Sequence, residues 1–585
     1  MAQVTAWDAE VDLLVAGAGP GGMATALVGA LEGLDVMICE KSGQIGGTAS
    51  TSAGTLWIPG NSQSRRAGYS DTAQQAEIYM DQLVGGSKGR DLRSAYLTTG
   101  PAAIDYFEAK TDVTFLPCGR HPDYQSNMAG AAVTGRAIVA APFDGRLLGN
   151  DFKLVRPPIG EFMVFGGMMV GKDDIPRLIG RFKSAANFIY SAKLFFRFLS
   201  DRVKYPRGTR IVMGNALVAR LFYSLRKNKV PLQFDTVIRE ILREGGRVVG
   251  AEVECRGKTL RIRARRGVVL ATGGFAQDEG FRKAFMPQPT PAHSLACDGD
   301  TGDGLTLGRS IGAKIDGDQH RGGAFWTPVS VTRHAPGRKG LFPHLSLDRA
   351  KPGLIAVNAA GRRFVNEGAS YHDFVEAMFE SHKLVPTIPA WLICDAAFVA
   401  KYGIGLVHPG TRNLGPHERN GYLTTAPTVE ALARKIGVDP SGLANSVRRH
   451  NGFALAGCDS DFGKGDTELN RFNGDPENRP NPCLKPIETA PFVAVAVWPA
   501  EIACSAGLAT DIDGQVLDES DQAIPGLYAC GNDMASIMAG TYPGPGTTLG
   551  PALVFAYRIA RHAAGKSDTM ASSMPAAGER RAAVG

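Results

Sequence analysis

Three glycines and one carboxylate carry the first legible chemistry. Gly17, Gly19 and Gly22 fall at G-x-G-x-x-G spacing directly after residues 11–16, a short apolar run that reads as a buried strand. In that setting Gly17 makes a tight turn, Gly19 lets backbone approach a pyrophosphate, and Gly22 lets the following helix pack on the strand. The helix start at Pro20 and Gly21 offers N–H donors and partial positive charge to phosphate groups. Glu40 closes a second apolar strand, residues 36–39. It is placed to accept from ribose hydroxyls, and its charge would repel a 2′-phosphate. The loop that follows, Lys41 to Gly54, is small, polar and rich in donors, with Gly46, Gly47, Thr48 and Ser52 in it. It suits a long flavin nucleotide. Thr301-Gly302-Asp303-Gly304 follows an acidic loop rather than a strand and reads as a structural turn. With a single dinucleotide site, FAD is favoured over NAD.

The elements around that site follow from pattern. Residues 247–254 and 259–264 alternate in polarity and read as a hairpin. A buried strand is expected over 267–272, closed by Gly273-Gly274, another over 526–531, and a helix over 546–565. Residues 566–585 are rich in Ser, Ala and Gly and are expected to be disordered. The length of 585 residues implies more than one domain. At 44% hydrophobic and 21% charged, the chain has ordinary globular composition, which excludes a coiled coil or a disordered protein. Nine cysteines without a C-x-x-C pair argue against a zinc ribbon, an iron–sulfur ligand set or a disulfide scaffold, and fit a reducing compartment. The N-terminus is too short and polar before the first strand for a signal peptide, and no apolar run reaches the ~18 residues of a spanning helix. A cytoplasmic location is expected.

The net charge of +7 is concentrated. Residues 151–230 hold 16 Lys and Arg against 5 Asp and Glu, so the remainder is net negative. Within them, 181–204 has Ala185, Phe188, Ile189, Ala192, Phe195, Phe196 and Leu199 at helical spacing, with Lys183 and Arg197 on the other face. This aromatic, basic, amphipathic helix fits a packed surface helix, a membrane-surface helix at the inner face of the cell membrane, or a subunit interface. No nucleic-acid-binding motif accompanies the charge.

The residues from Gly17 to Glu40, Gly46-Gly47-Thr48, Leu270 to Phe275 and Thr510 to Asp533 resemble the flavoproteins of the fumarate reductase and succinate dehydrogenase superfamily. The resemblance implies an α/β fold: a Rossmann-like FAD-binding domain in two sequence halves, with an inserted α+β catalytic cap domain. The expected division is 1–288, 289–491 and 492–565. It also implies cofactor contacts at Val237, Ala271, Thr272, Gly273, Gly531, Asn532, Thr548 and Leu549, the last helix pointing its N-terminus at the flavin. Within the superfamily, Pro122-Asp123-Tyr124, Gly361 to Glu367 with Tyr371, and Gly540-Thr541-Tyr542-Pro543-Gly544-Pro545-Gly546 are similar to the 3-ketosteroid Δ1-dehydrogenases.

That resemblance assigns chemistry. Dehydrogenating a ring beside a ketone removes a proton from the α carbon and a hydride from the β carbon, the latter going to flavin N5. Tyr542 OH and the Gly546 N–H match the carbonyl-binding pair, which would stabilise the developing enolate. Tyr371 matches the base and Tyr124 its supporting phenol. A phenol of pKa ~10 is a weak base at neutral pH, so Tyr371 needs a neighbour that lowers its pKa or carries the proton on. Glu367, Arg136 and Arg363 are expected to be structural. Reduction of unsaturated acids would need cations before the last helix, but Met534 to Gly550 contains no Arg, Lys or His. That absence points to a neutral ketone, and the resemblance implies a 3-ketosteroid dehydrogenated at C1–C2, with a diffusible quinone- or dye-like electron acceptor. A smaller cyclic ketone, 4(5α)-dehydrogenation and a flavin-binding module without turnover are the alternatives.

Overall fold

The computed structural model describes residues 7–86, 89–160, 163–171, 174–317, 322–334 and 338–566. Strand β1 (Ala9–Ala16) leads into helix α1 (Pro20–Leu31) and then β2 (Val36–Cys39). β1 lies parallel to β2 on one side and to β3 (Lys258–Leu270) on the other. β3 in turn lies parallel to β4 (Ala523–Ala529), so both ends of the chain build one eight-stranded sheet. The inner halves of β1 (Leu13, Leu14, Val15) and β3 (Val268, Val269, Leu270) are continuous Val and Leu runs at zero exposure, as a parallel sheet covered on both faces requires.

The hairpin arm expected over 259–264 and the strand expected over 267–272 are one strand, β3. Arg265 and Arg266 interrupt the apolar pattern because the strand passes there from a half-exposed hairpin arm to the buried sheet. Arg265 pairs at 2.8 Å with Asp12 on β1, at a bulge where the register shifts between Val11 and Leu13 before the ladder resumes at Gly267.

Residues between these halves form the basic insert and a second layer. In the insert, helix α2 (Ala185–Lys204) is capped by Ser184, whose hydroxyl accepts from the Asn187 N–H, so it begins four residues later than the expected 181. The second layer is an antiparallel sheet of Arg338–Pro343, Ala324–His334, Phe492–Cys504, Ala390–Asp395 and Ile355–Val357, in that order. Phe492–Cys504 is its central strand, so the expected division at 491/492 would cut this sheet. A buried strand paired on both sides cannot be assigned to another layer, and the passage back to the first sheet comes after Cys504. Helix α3 (Tyr371–His382) packs on Ala324–His334 through Phe374, Val375 and Met378. Helix α4 (Leu549–Ala563) returns to pack against α1. Of the tail expected at 566–585, all but Lys566 lies outside the described residues.

The junction of β1 and α1 depends on an absent side chain. A Cβ on Gly22 would lie 2.0 Å from the Gly17 carbonyl oxygen, which is backbone and cannot yield cheaply. Gly22→Ala is therefore expected to cost about 1–3 kcal/mol of stability, in the range of overpacked cores, and to strip most of the bound flavin. Thermal denaturation and flavin absorbance of the purified variant check this.

Candidate active site

One cavity of ≈ 1630 Å³ runs from the β1–α1 turn to the second layer. Single-ligand pockets measure roughly 300–1,000 Å³, so this one has room for a dinucleotide and a further ligand. Every residue expected to contact the cofactor lines it except Gly22, which is spent on helix–strand packing.

The cradle fits FAD. A Cβ on Gly19 would meet nothing within 4 Å, so the α1 N-terminus opens onto free space. No side chain caps that terminus. Its amides are left for an anion. Glu40 at the end of β2 accepts from the Ala18 N–H (2.8 Å) and from Ser42 N–H and Oγ (2.9 and 2.8 Å). A carboxylate has about four acceptor sites, so capacity remains for ribose hydroxyls. Lys41 is held by Asp303 (2.7 Å), and Thr48 Oγ1 donates to Asp300 Oδ2 (2.6 Å). Asp300 and Asp303 line the cavity, where the sequence pattern predicts only a structural turn at 301–304 after an acidic loop. Burial pushes Asp300 up to about 8. Periodicity gave no sign of them, because a carboxylate in a glycine turn looks the same whether or not the turn faces a ligand. Asp533 accepts from the Thr272 and Gly274 N–H groups and fixes the end of β3 to the loop after β4.

At the other end, three segments bring their tyrosines together. Tyr371 OH donates to Tyr542 OH (2.9 Å) and accepts from Tyr124 OH (3.1 Å). The Tyr124 and Tyr542 rings stack, with centroids 5.4 Å apart and planes 14° apart, and Phe325 meets Tyr542 edge-on at 5.3 Å. All three phenols are pushed upward, chiefly by burial. Tyr371 is the first residue of α3, its backbone set by the Ser370 N-cap. Tyr124 and Tyr542 sit on loops joined by the Tyr124 N–H to Pro543 carbonyl bond (2.9 Å), and Tyr79 OH donates to the same oxygen (2.7 Å).

Gly546 has φ +97, and a Cβ there would lie 2.4 Å from the Thr55 carbonyl oxygen. Its N–H donates to no backbone acceptor among the described residues, and with Thr548 and Leu549 at the start of α4 it borders the cavity. Trp57 fixes this loop, its N–H donating to Gly546 O (3.3 Å) and its Nε1 to Asp123 Oδ1 (2.8 Å). Arg136, 2% exposed, then bridges Asp123 (2.6 Å) and Asp71 (3.0 Å). The structural role expected for Arg136 is this clamp.

Glu367 is buried and bonded to Arg363 (2.8 Å), which draws it down to about 2. It does not line the cavity. The walls around the tyrosines come mainly from Leu116, Val139, Phe342, Leu347, Leu406, Val407, Leu469 and Phe472, with His121, Asp348 and His408 among them and no Lys or Arg. The lining cations, Lys41, Arg156 and Arg210, belong to the nucleotide loops and the insert.

The FAD binding domain family matches residues 12–549. A 4-oxocyclohex-2-ene-1-carboxylate 5-dehydrogenase from Sinomonas cyclohexanicum is 38% identical over 94% of this chain and 93% of its own. A 3-oxosteroid 1-dehydrogenase from Mycolicibacterium smegmatis is 33% identical over 94% and 96%. The crystal structure of 3-ketosteroid delta1-dehydrogenase from Sterolibacterium denitrificans, in complex with 1,4-androstadiene-3,17-dione, has a TM-score of 0.88 at 36% identity, covering 95% of this chain and 100% of that one. The chain belongs to the FAD-binding flavoprotein family, in the branch that holds these dehydrogenases. It is an FAD-dependent oxidoreductase.

An oxygen donor aimed at a reacting carbonyl contributes ~10²–10³-fold to turnover. Tyr542→Phe is therefore expected to lower turnover by ~10²-fold or more while flavin content and fold stay unchanged. Steady-state kinetics on the flavin-replete variant check this, and near-normal turnover would remove Tyr542 from the chemistry.

Proposed function

We propose that this chain is an FAD-dependent 3-ketosteroid 1-dehydrogenase. The observation that carries the reading is the meeting of Tyr371, Tyr542 and Tyr124 beside Gly546, at the end of the nucleotide cavity and within apolar walls. The ketone oxygen accepts from Tyr542 OH and the Gly546 N–H, so charge developing on it is met by donors already in place. Tyr371 takes the α proton, and Tyr124 holds the resulting phenol and shares its proton. Bound FAD supplies the acceptor for the β hydrogen and its electron pair. The apolar walls exclude water and fit a polycyclic ring system. A diffusible quinone-like acceptor reoxidises the flavin.

A second reading, dehydrogenation of a 4-oxocyclohexene carboxylate by the same groups, is favoured by the 38% identity to the Sinomonas enzyme. Against it, such a carboxylate would meet no Lys or Arg in the half of the cavity around the tyrosines.

The insert supports a surface role at membranes. Phe188, Ile189, Phe196 and Val203 on α2 are more than half exposed, as are Phe182 and Phe165 nearby. Phe165, Leu178 and Ile179 also line the cavity, so the exposed apolar face runs into its mouth. With Lys193, Arg202 and Lys204 alongside, this is the composition of an interfacial helix on anionic lipid, where steroids partition. No described helix is long and apolar enough to cross a membrane.

Anaerobic androst-4-ene-3,17-dione is expected to bleach the flavin and yield the 1,4-diene. Bleaching by 4-oxocyclohex-2-ene-1-carboxylate but not by the steroid would give the site to the second reading, and no bleaching by any cyclic ketone would falsify both. In liposome flotation at low salt, the holoenzyme is expected to rise with anionic vesicles and to stay down when Phe188 and Phe196 are changed to Ser. Absence of co-flotation removes the membrane role.

A further inference from the structure

Three phenols stand in contact, Tyr542 buried and Tyr124 and Tyr371 partly buried, yet the reaction needs one as a base and another as a proton-bearing donor. Groups of one kind take different roles only where their surroundings push them apart. A buried cation lies on one side of this trio. Arg349 is 2% exposed. Its Nε donates to His344 O (2.8 Å), Nη2 to Leu345 O (2.9 Å), and Nη1 to Glu367 O (2.9 Å) and Ala369 O (3.2 Å). All four acceptors are neutral carbonyls. Among the described residues no carboxylate pairs with the guanidinium. The adjacent Asp348 spends its oxygens on His344 Nδ1 (2.6 Å), the Gly405 N–H (3.1 Å) and the Arg349 peptide N–H (2.8 Å).

Two of those carbonyls, at Glu367 and Ala369, belong to the loop that ends at Tyr371. The guanidinium also lies over the Phe374 ring at 4.9 Å, one turn into α3. Arg349 thus grips the segment that presents Tyr371 and carries a full charge into it. The positive end of the α3 dipole acts in the same sense. Tyr542 arrives from the opposite layer, on a stretch without Arg, Lys or His.

We propose that Arg349 is the positioning residue that makes Tyr371 the base and leaves Tyr542 the proton-bearing donor, an inference that rests on the dehydrogenase reading above. Its charge favours the phenolates of Tyr371 and Tyr124, whereas for Tyr542 burial and Tyr371 both push upward. Burial draws Arg349 down to about 10, so it stays charged at neutral pH. The other charged groups facing the trio are engaged. Asp373 accepts from Gln125 Nε2 and Ser370 Oγ, His372 Nδ1 accepts from the Trp326 N–H, Glu367 is paired with Arg363, and Asp123 with Arg136. In the proton step the Tyr371 phenolate forms an O–H bond with the α hydrogen. The C–H pair becomes the enolate π pair, and the negative charge passes to the ketone oxygen.

The test compares holoenzyme with Arg349→Met and Arg349→Lys at matched flavin content. An opposite charge within a few ångströms lowers an acid's pKa by about 1–3 units, so Arg349→Met is expected to move the rising limb of the kcat/KM–pH profile up by about one unit or more. That gives roughly tenfold loss at neutral pH and recovery toward wild type in alkali. Arg349→Lys, which keeps the charge but not the four bonds, holds the limb near its wild-type position. A uniform loss at every pH, with the limb unmoved, overturns the proposal and leaves a clamp only. A substrate-free measurement stands beside it: in holoenzyme isotope-labelled at the tyrosine Cζ, with resonances assigned by Tyr371→Phe and Tyr542→Phe, Tyr371 is expected to ionise before Tyr542. The reverse order overturns the proposal even if Arg349→Met fails to fold. Failure of every ketone to bleach the flavin strikes the dehydrogenase reading alone and leaves this titration order to be read.

Discussion

A hydrogen bond of 2.9 Å between the hydroxyls of Tyr371 and Tyr542 joins residues 171 positions apart. It closes the gap between two layers that share little sequence-local structure. One partner opens a helix packed on the antiparallel sheet, and the other hangs from the loop before α4. Tyr124 comes from a third stretch. The constellation therefore exists only while both layers hold their places, and its precision is a property of the whole chain rather than of any motif.

What holds the loops is a set of buried charges with nearly every bond made. Arg136 ties Asp71 to Asp123, Asp123 takes the Trp57 indole, and Trp57 sets the register of Gly546. Glu367, Arg363, Asp459 and Lys464 form a second cluster beneath the α3 loop. Buried ion pairs contribute little net stability over an apolar core, yet losing one partner strands the other, so such clusters fix geometry more than they add strength. Here they lie behind the phenols and place no Lys or Arg in the walls around them.

The nucleotide half was legible because its chemistry is local. A strand, three glycines, a helix and a carboxylate follow one another, and each has one plausible use. The phenols were found only through resemblance, since Tyr542 and Tyr371 carry no periodic signal and their partners are hundreds of positions away. Arg349 left no mark at all: nothing in Asp348-Arg349-Ala350 says that the guanidinium turns inward onto four carbonyls. The run at Arg265-Arg266 misleads in the opposite way, because two charges interrupt the apolar pattern of what is a single strand. Asp300 and Asp303 were passed over for a related reason, since a glycine-rich bend hides which side faces the cavity.

The main-chain amide at Gly546 has one more implication. A peptide N–H has no side chain to exchange, and at φ +97 against the Thr55 carbonyl no other residue fits without moving the strand. This half of the proposed oxygen grip is thus closed to gradual revision. Natural drift in ring preference or rate has to run through the phenols and the apolar walls, while the amide stays as a fixed datum around which they vary.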